Sequence, residues 1–190
     1  MALSDLLREE LTLEEALARS TILGGLVIRD YSPDLIVGIV SGGILPAREI
    51  SRIGGIAYAQ ITIRRPSCSR ETYASTPKLL KPLMKLFYEC LWMATDPMLI
   101  EEGEFNCQGM NVLVVDDVVH TGKTMGLATE NLLKRGAEKI RTASINHVNG
   151  KRADYSLRKG RIKFPWSKNS REYERFRSYL IETPHLIRPS

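Results

Sequence analysis

Long apolar runs are missing from this chain of 190 residues. Its longest aliphatic stretches, Leu35 to Val40 with one glycine and Val112 to Val115, fall far short of the ~18 apolar residues of a membrane span. A transmembrane helix is therefore excluded. Residues 1–20 carry acids at Asp5, Glu9, Glu10, Glu14 and Glu15 where a secretory signal would have an apolar h-region, so a cytoplasmic location is expected. Cysteine is scarce as well. Cys68, Cys90 and Cys107 are an odd number without C-x-x-C spacing, which disfavours both a disulfide framework and a zinc site. Repeats, low-complexity tracts and linkers are also lacking, and the length fits one domain over 1–190.

What is present is ordinary folding material: 43% hydrophobic and 26% charged residues exclude a fully disordered chain. The net charge of +5 suits a phosphate-rich partner, and charge alone does not separate nucleic acid from a small phosphorylated substrate.

Leu6, Leu7, Leu11, Leu13, Ala16 and Leu17 recur at helical intervals, with Thr12 and Glu15 spaced as a capping box, which predicts a packing helix. After the turn at Ser32-Pro33-Asp34, Leu35–Val40 is a continuous β-branched run of the kind a parallel strand buried on both faces needs. Residues 46–53 then read as a helix stopped by Gly54-Gly55, and 56–63 as a second strand. Residues 64–108 begin polar and become apolar at helical spacing, Leu79 to Trp92 included, which predicts a mobile loop followed by helix. Asn111 to Val115 is the next strand, 124–135 the next helix with Gly136 at C′, and 139–145 a further strand. This alternation predicts an α/β doubly wound parallel sheet with right-handed crossovers.

Ligands in such sheets bind beyond the carboxyl ends of the strands. There the chain reads Asp116-Asp117-Val118-Val119-His120-Thr121-Gly122-Lys123-Thr124. Two carboxylates leave a hydrophobic strand, and small and hydroxyl residues open a helix whose unpaired N–H groups attract an anion. The helix start fits a phosphate. The carboxylates would repel it, but they can accept hydrogen bonds from vicinal hydroxyls or hold Mg²⁺ through water. A sugar phosphate satisfies both halves. A Walker A reading of Gly122-Lys123-Thr124 fails, because Asp117 stands where that motif needs a glycine.

The string VLVVDDVVHTGKTM at 112–125 resembles the phosphoribosyl pyrophosphate (PRPP) signature of type I phosphoribosyltransferases in its purine-enzyme form, and the likeness extends over about residues 35–166. The resemblance implies a mostly parallel five-stranded sheet with a small C-terminal hood. By the same likeness the core would span about 20–146, the hood about 147–170, and a flexible lid with a helical insertion about 64–108. It implies that Asp116 and Asp117 bind the ribose hydroxyls and the Mg²⁺ shell, and that His120, Thr121, Gly122, Lys123 and Thr124 wrap the 5-phosphate. Ser41, Gly42 and Gly43 would form the pyrophosphate loop with Arg64 and Arg65 beside it, and Ser67 to Thr76 the lid. Asp154-Tyr155 and Ile162 to Trp166 are similar to hood elements that hold the base, with Val118 on its other face. Phe164 is expected at the base, while for Trp166 packing and base contact weigh equally. A homodimer would be usual, and Leu79 to Trp92 could serve that contact or the core.

Four positions depart from the family pattern. Ser41 stands where Arg or Lys is frequent, His120 where 6-oxopurine enzymes have Asp, and Arg161 where a Trp stacks on the base; the lysine near 147 is absent, with His147 or Asn146 in its place. A lysine donates to a 6-oxo group and clashes with a 6-amino donor, so its loss tilts the expectation slightly towards adenine. The rival reading is a PRPP-sensing regulator with little catalysis. Only 34 residues precede the first strand and they show no helix-turn-helix, which disfavours nucleic acid.

Overall fold

The computed structural model describes residues 9–64, 77–80, 83–84, 87, 95–101, 104–148 and 150–182. Strand β1 is Glu9–Glu10 and helix α1 Leu13–Asp30; β2 (Leu35–Val40), α2 (Ile44–Gly54) and β3 (Ala57–Arg64) follow. A short 3₁₀ turn at Lys78–Leu80 precedes β4 (Met98–Glu101). Then come β5 (Asn111–Val119), α3 (Lys123–Lys134), β6 (Lys139–His147), β7 (Tyr155–Lys159), β8 (Ile162–Lys163) and α4 (Tyr173–Glu182).

The capping box sets the start of α1. Thr12 Oγ1 accepts from the Glu15 N–H at 3.2 Å, and Glu15 Oε2 accepts from the Thr12 N–H at 2.8 Å. The helical spacing therefore overshoots at Leu11. Leu11 lies outside the helix and is fully buried, its N–H donating to the Lys163 carbonyl, and residues 1–8 lie outside the described residues. A pair of carbonyl bonds closes α3, Gly136 N–H to Leu133 and Ala137 N–H to Leu132, with Gly136 at a φ of 88° as a C′ glycine.

The main sheet has the order β4-β3-β2-β5-β6-β7. Five neighbouring strands run parallel, and β4 joins the β3 edge antiparallel. Helices cover both faces. Leu113 and Val115 of β5 face the core built with α1 and α2, whereas Val112 and Val114 face the one under α3, so two-sided burial accounts for the unbroken aliphatic runs. Outside the sheet, β1 pairs parallel with β8.

The chain leaves β2 through α2 towards β3 and leaves β5 through α3 towards β6, in opposite directions. The carboxyl ends of β2 and β5 thus flank a topological switch point, where open α/β sheets form their crevice. The strand carrying the two acids is longer than 111–115. It runs to Val119, because β6 continues beside it through pairs Asp116 with Ser144 and Val119 with His147.

Candidate functional site

At the switch point, residues 116–122 together with Thr124 and Met125 line a cavity of ≈ 180 Å³. Strand β5 supplies Asp116 to Val119, the turn supplies His120 to Gly122, and the first turn of α3 supplies Thr124 and Met125. Gly122, the residue before α3, has a φ of 78°, a left-handed conformation that glycine adopts without a steric penalty. The structure therefore brings the paired acids and the helix start to one cavity. Lys123 points elsewhere: its Nζ bonds Asp96 Oδ1 at 2.8 Å, and it does not line the cavity.

Asp116 Oδ1 accepts from the Asp117 N–H at 2.9 Å. The Asp117 carboxylate accepts from Trp166 Nε1 at 2.6 Å. Burial pushes the Asp117 carboxyl up from its ordinary value, and the bonds from Trp166, the Val118 N–H and Asp116 pull against that rise. Gly42 closes the opposite side, since a Cβ there would land on the carboxyl of Asp117. A Cβ on Gly43 would land on the Val115 carbonyl oxygen. These two glycines let the loop after β2 press against β5. Ser41 is exposed beside them, following a cis Val40–Ser41 peptide.

Arg64 ends β3, exposed and paired with Met98; Arg65 and the expected lid at Ser67 to Thr76 lie outside the described residues. His147 ends β6, with Nδ1 2.9 Å from Ser156 Oγ, which in turn lies 3.2 Å from Ser144 Oγ. Asn146 is fully buried and donates to the Gly160 carbonyl. Val118 packs beside the α1–α2 core and also lines the cavity. Arg161 is exposed between β7 and β8, and Ile162 pairs with Glu9. Phe164, expected at the base, is instead a core residue at 3% exposure, its ring stacked on Trp166 at 4.7 Å. Apolar burial against its neighbours takes the surface that a base would need.

Sequence reasoning did not find Asp96, Met125 or Ser156. Asp96 and Ser156 act through side-chain contacts at Lys123 and His147, 27 and 9 residues away, and no local pattern marks them. Among the described residues no cluster of three or more His, Cys, Asp or Glu side chains could cage a metal ion. Two adjacent carboxylates are a donor set for an ion such as Mg²⁺ that keeps several of its waters.

A parallel sheet with its crevice at the β2–β5 switch point, two acids and an amide-lined helix start define a class of nucleotide- or sugar-phosphate-binding α/β proteins. Residues 25–166 match the phosphoribosyl transferase domain family, and the chain belongs to it. Over 41 residues it is 54% identical to ribose-phosphate pyrophosphokinase of Pyrococcus furiosus, a match spanning 22% of this chain and only 15% of that protein. A purine phosphoribosyltransferase from Pyrococcus horikoshii superposes with a TM-score of 0.64 at 24% identity, covering 85% of this chain and 94% of the other. A Neisseria gonorrhoeae protein with bound ppGpp gives 0.62 at 18%, covering 90% and 96%. The Helicobacter pylori xanthine-guanine-hypoxanthine phosphoribosyltransferase gives 0.61 at 17%, covering 90% and 99%. These three likenesses establish the type I fold.

Proposed function

We propose that the protein is a purine phosphoribosyltransferase that transfers the 5-phosphoribosyl group from PRPP to a purine nitrogen and releases pyrophosphate, in purine salvage. The observation that carries this reading is the single cavity shared by Asp116, Asp117 and the start of α3. The carboxylates accept hydrogen bonds from the ribose hydroxyls, while N–H groups at Thr121 to Thr124 hold the 5-phosphate. Backbone at Ser41 to Gly43 meets the departing pyrophosphate, an approach that the absence of Cβ atoms permits. Arg64 and Arg65 add positive charge to it. Binding energy from the remote phosphate orients C1, and the ribose gains oxocarbenium character without a covalent bond to the protein. Asp116 and Asp117 would hold a hydrated Mg²⁺, whose charge would help neutralise the leaving pyrophosphate.

His120 faces this cavity, where its imidazole is placed to accept or donate a proton at the base. On the base side we assign Val118, His147, Arg161 and Ile162. With imidazole in place of the family lysine, a 6-amino group can meet an acceptor, which favours adenine slightly over guanine, hypoxanthine and xanthine. A cytoplasmic homodimer completes the reading; the exposed apolar side chains of Leu79, Leu83 and Phe87 support a second copy as partner.

A screen of the four purines with PRPP and Mg²⁺, reading pyrophosphate release, tests this. Turnover with adenine first is expected. Guanine ahead by more than tenfold overturns the base assignment, and PRPP binding without turnover on any base selects the non-catalytic sensor.

A further inference from the structure

We propose that Trp166 is a positioning residue for Asp117: it neither stacks on the base nor merely fills the hood, but holds one carboxylate of the sugar site in place through its indole N–H. This rests on reading Asp117 as a hydroxyl-binding acid. One face of the indole is already taken, since Phe164 stacks on it at 4.7 Å with planes 10° apart. Phe176 of α4 leans on it at 5.8 Å and 56°. With its apolar surface engaged in this way, the polar edge meets the Asp117 carboxylate at 2.6 Å, a charge-assisted bond stronger than a neutral one. Gly42 backs the same carboxyl from the β2 side. Asp117 is thereby bracketed by two segments far apart in sequence, and it has one orientation before any ligand arrives. A carboxylate fixed in advance loses less freedom on binding, which preserves affinity.

The aromatic stack is itself held from outside. Glu172, just ahead of α4, accepts from the Leu13 N–H at 3.3 Å, and Arg175 of α4 pairs with Glu14. The start of α1 and the C-terminal helix thus support Trp166, and through it the acid. Nothing in the 112–125 string signals this, because the two residues are 49 apart.

The test compares wild type with W166F and with a variant carrying 3-benzothienylalanine at 166, which keeps the bicyclic ring and replaces only the N–H by sulphur. Calorimetry with PRPP and Mg²⁺ is expected to show a Kd about tenfold higher in both variants, in line with loss of one charge-assisted hydrogen bond. The KM for the purine at saturating PRPP stays at its wild-type value. In a D117A background the same ring changes leave the PRPP Kd where D117A alone put it. An unchanged Kd in the benzothienyl variant overturns the inference. So does an equal loss of purine and PRPP affinity accompanied by a lower Tm, since that is packing alone. If wild type itself does not bind PRPP, the reading of the sugar site falls first, and that result is distinct from either of the others.

Discussion

At the residue scale the site depends on what carboxylates do when they sit side by side at a strand end. Replacing both Asp116 and Asp117 by Asn keeps the volume and removes the charge, so kcat/KM for PRPP should fall by orders of magnitude while the Tm shifts little; steady-state kinetics beside a thermal melt measures this. Gly42 makes a sharper demand. Its missing Cβ is the space occupied by the Asp117 carboxyl, so G42A must displace either the loop or the acid. The expected result is a PRPP KM at least tenfold higher, with the purine KM less affected. The two acids were legible because they stand in one continuous string with the start of α3, and Gly42 because a glycine pair directly follows the first aliphatic run. Phe164 was not, because aromatic residues beside a proline look alike whether they meet a base or a core. Trp166 was equally opaque, its partner lying in another element.

The elements follow from their local signals where pairing is local. Leu35–Val40 reads as a buried strand and is one, and the Thr12–Glu15 box starts α1 where its spacing says. Boundaries set by a neighbour did not show: β5 outlasts its aliphatic run only because β6 lies alongside it. Asp154, just ahead of β7, ties that strand to β6 in addition to their parallel ladder. Its carboxylate accepts from the Thr142 N–H at 2.8 Å, from the Thr142 hydroxyl at 2.7 Å and from Arg141 at 3.0 Å. Burial raises this carboxyl, but the bonds from Thr142 and Arg141 outweigh it and leave it below its ordinary value. A depressed folded value means stability that is present above the unfolded value of about 3.9 and lost as pH falls through the folded one. The Asp154 side chain is 36% exposed, so solvent screens these bonds and D154A should cost roughly 1 kcal/mol near pH 7. Urea melts from pH 6 to 3 should show wild type converging on the variant at the acid end.

For the whole molecule, the two-faced sheet puts the cavity between segments that separate when the fold opens, so a ligand there must stabilise the native state by mass action. With PRPP at about 100 times its Kd the gain is about 2.7 kcal/mol, or a rise in Tm of roughly 5–10 °C for a chain of this size. Scanning calorimetry with and without PRPP reads it, and an unmoved melt counts against the sugar site. The global topology was legible from the alternation of strands and helices. The antiparallel β4 was not, since Met98–Glu101 sits at a sheet edge in a segment whose pattern reads as helix.

The pairing of Glu9–Glu10 with Ile162–Lys163 also bears on synthesis. The earliest described strand waits for a partner that leaves the ribosome about 150 residues later, roughly 8–30 s at ordinary elongation rates. A nascent chain stalled before Ile162 holds that strand single and the aromatic cluster unmade. Protease sensitivity near Glu9 in stalled chains should persist until Ile162–Lys163 has emerged from the ribosome.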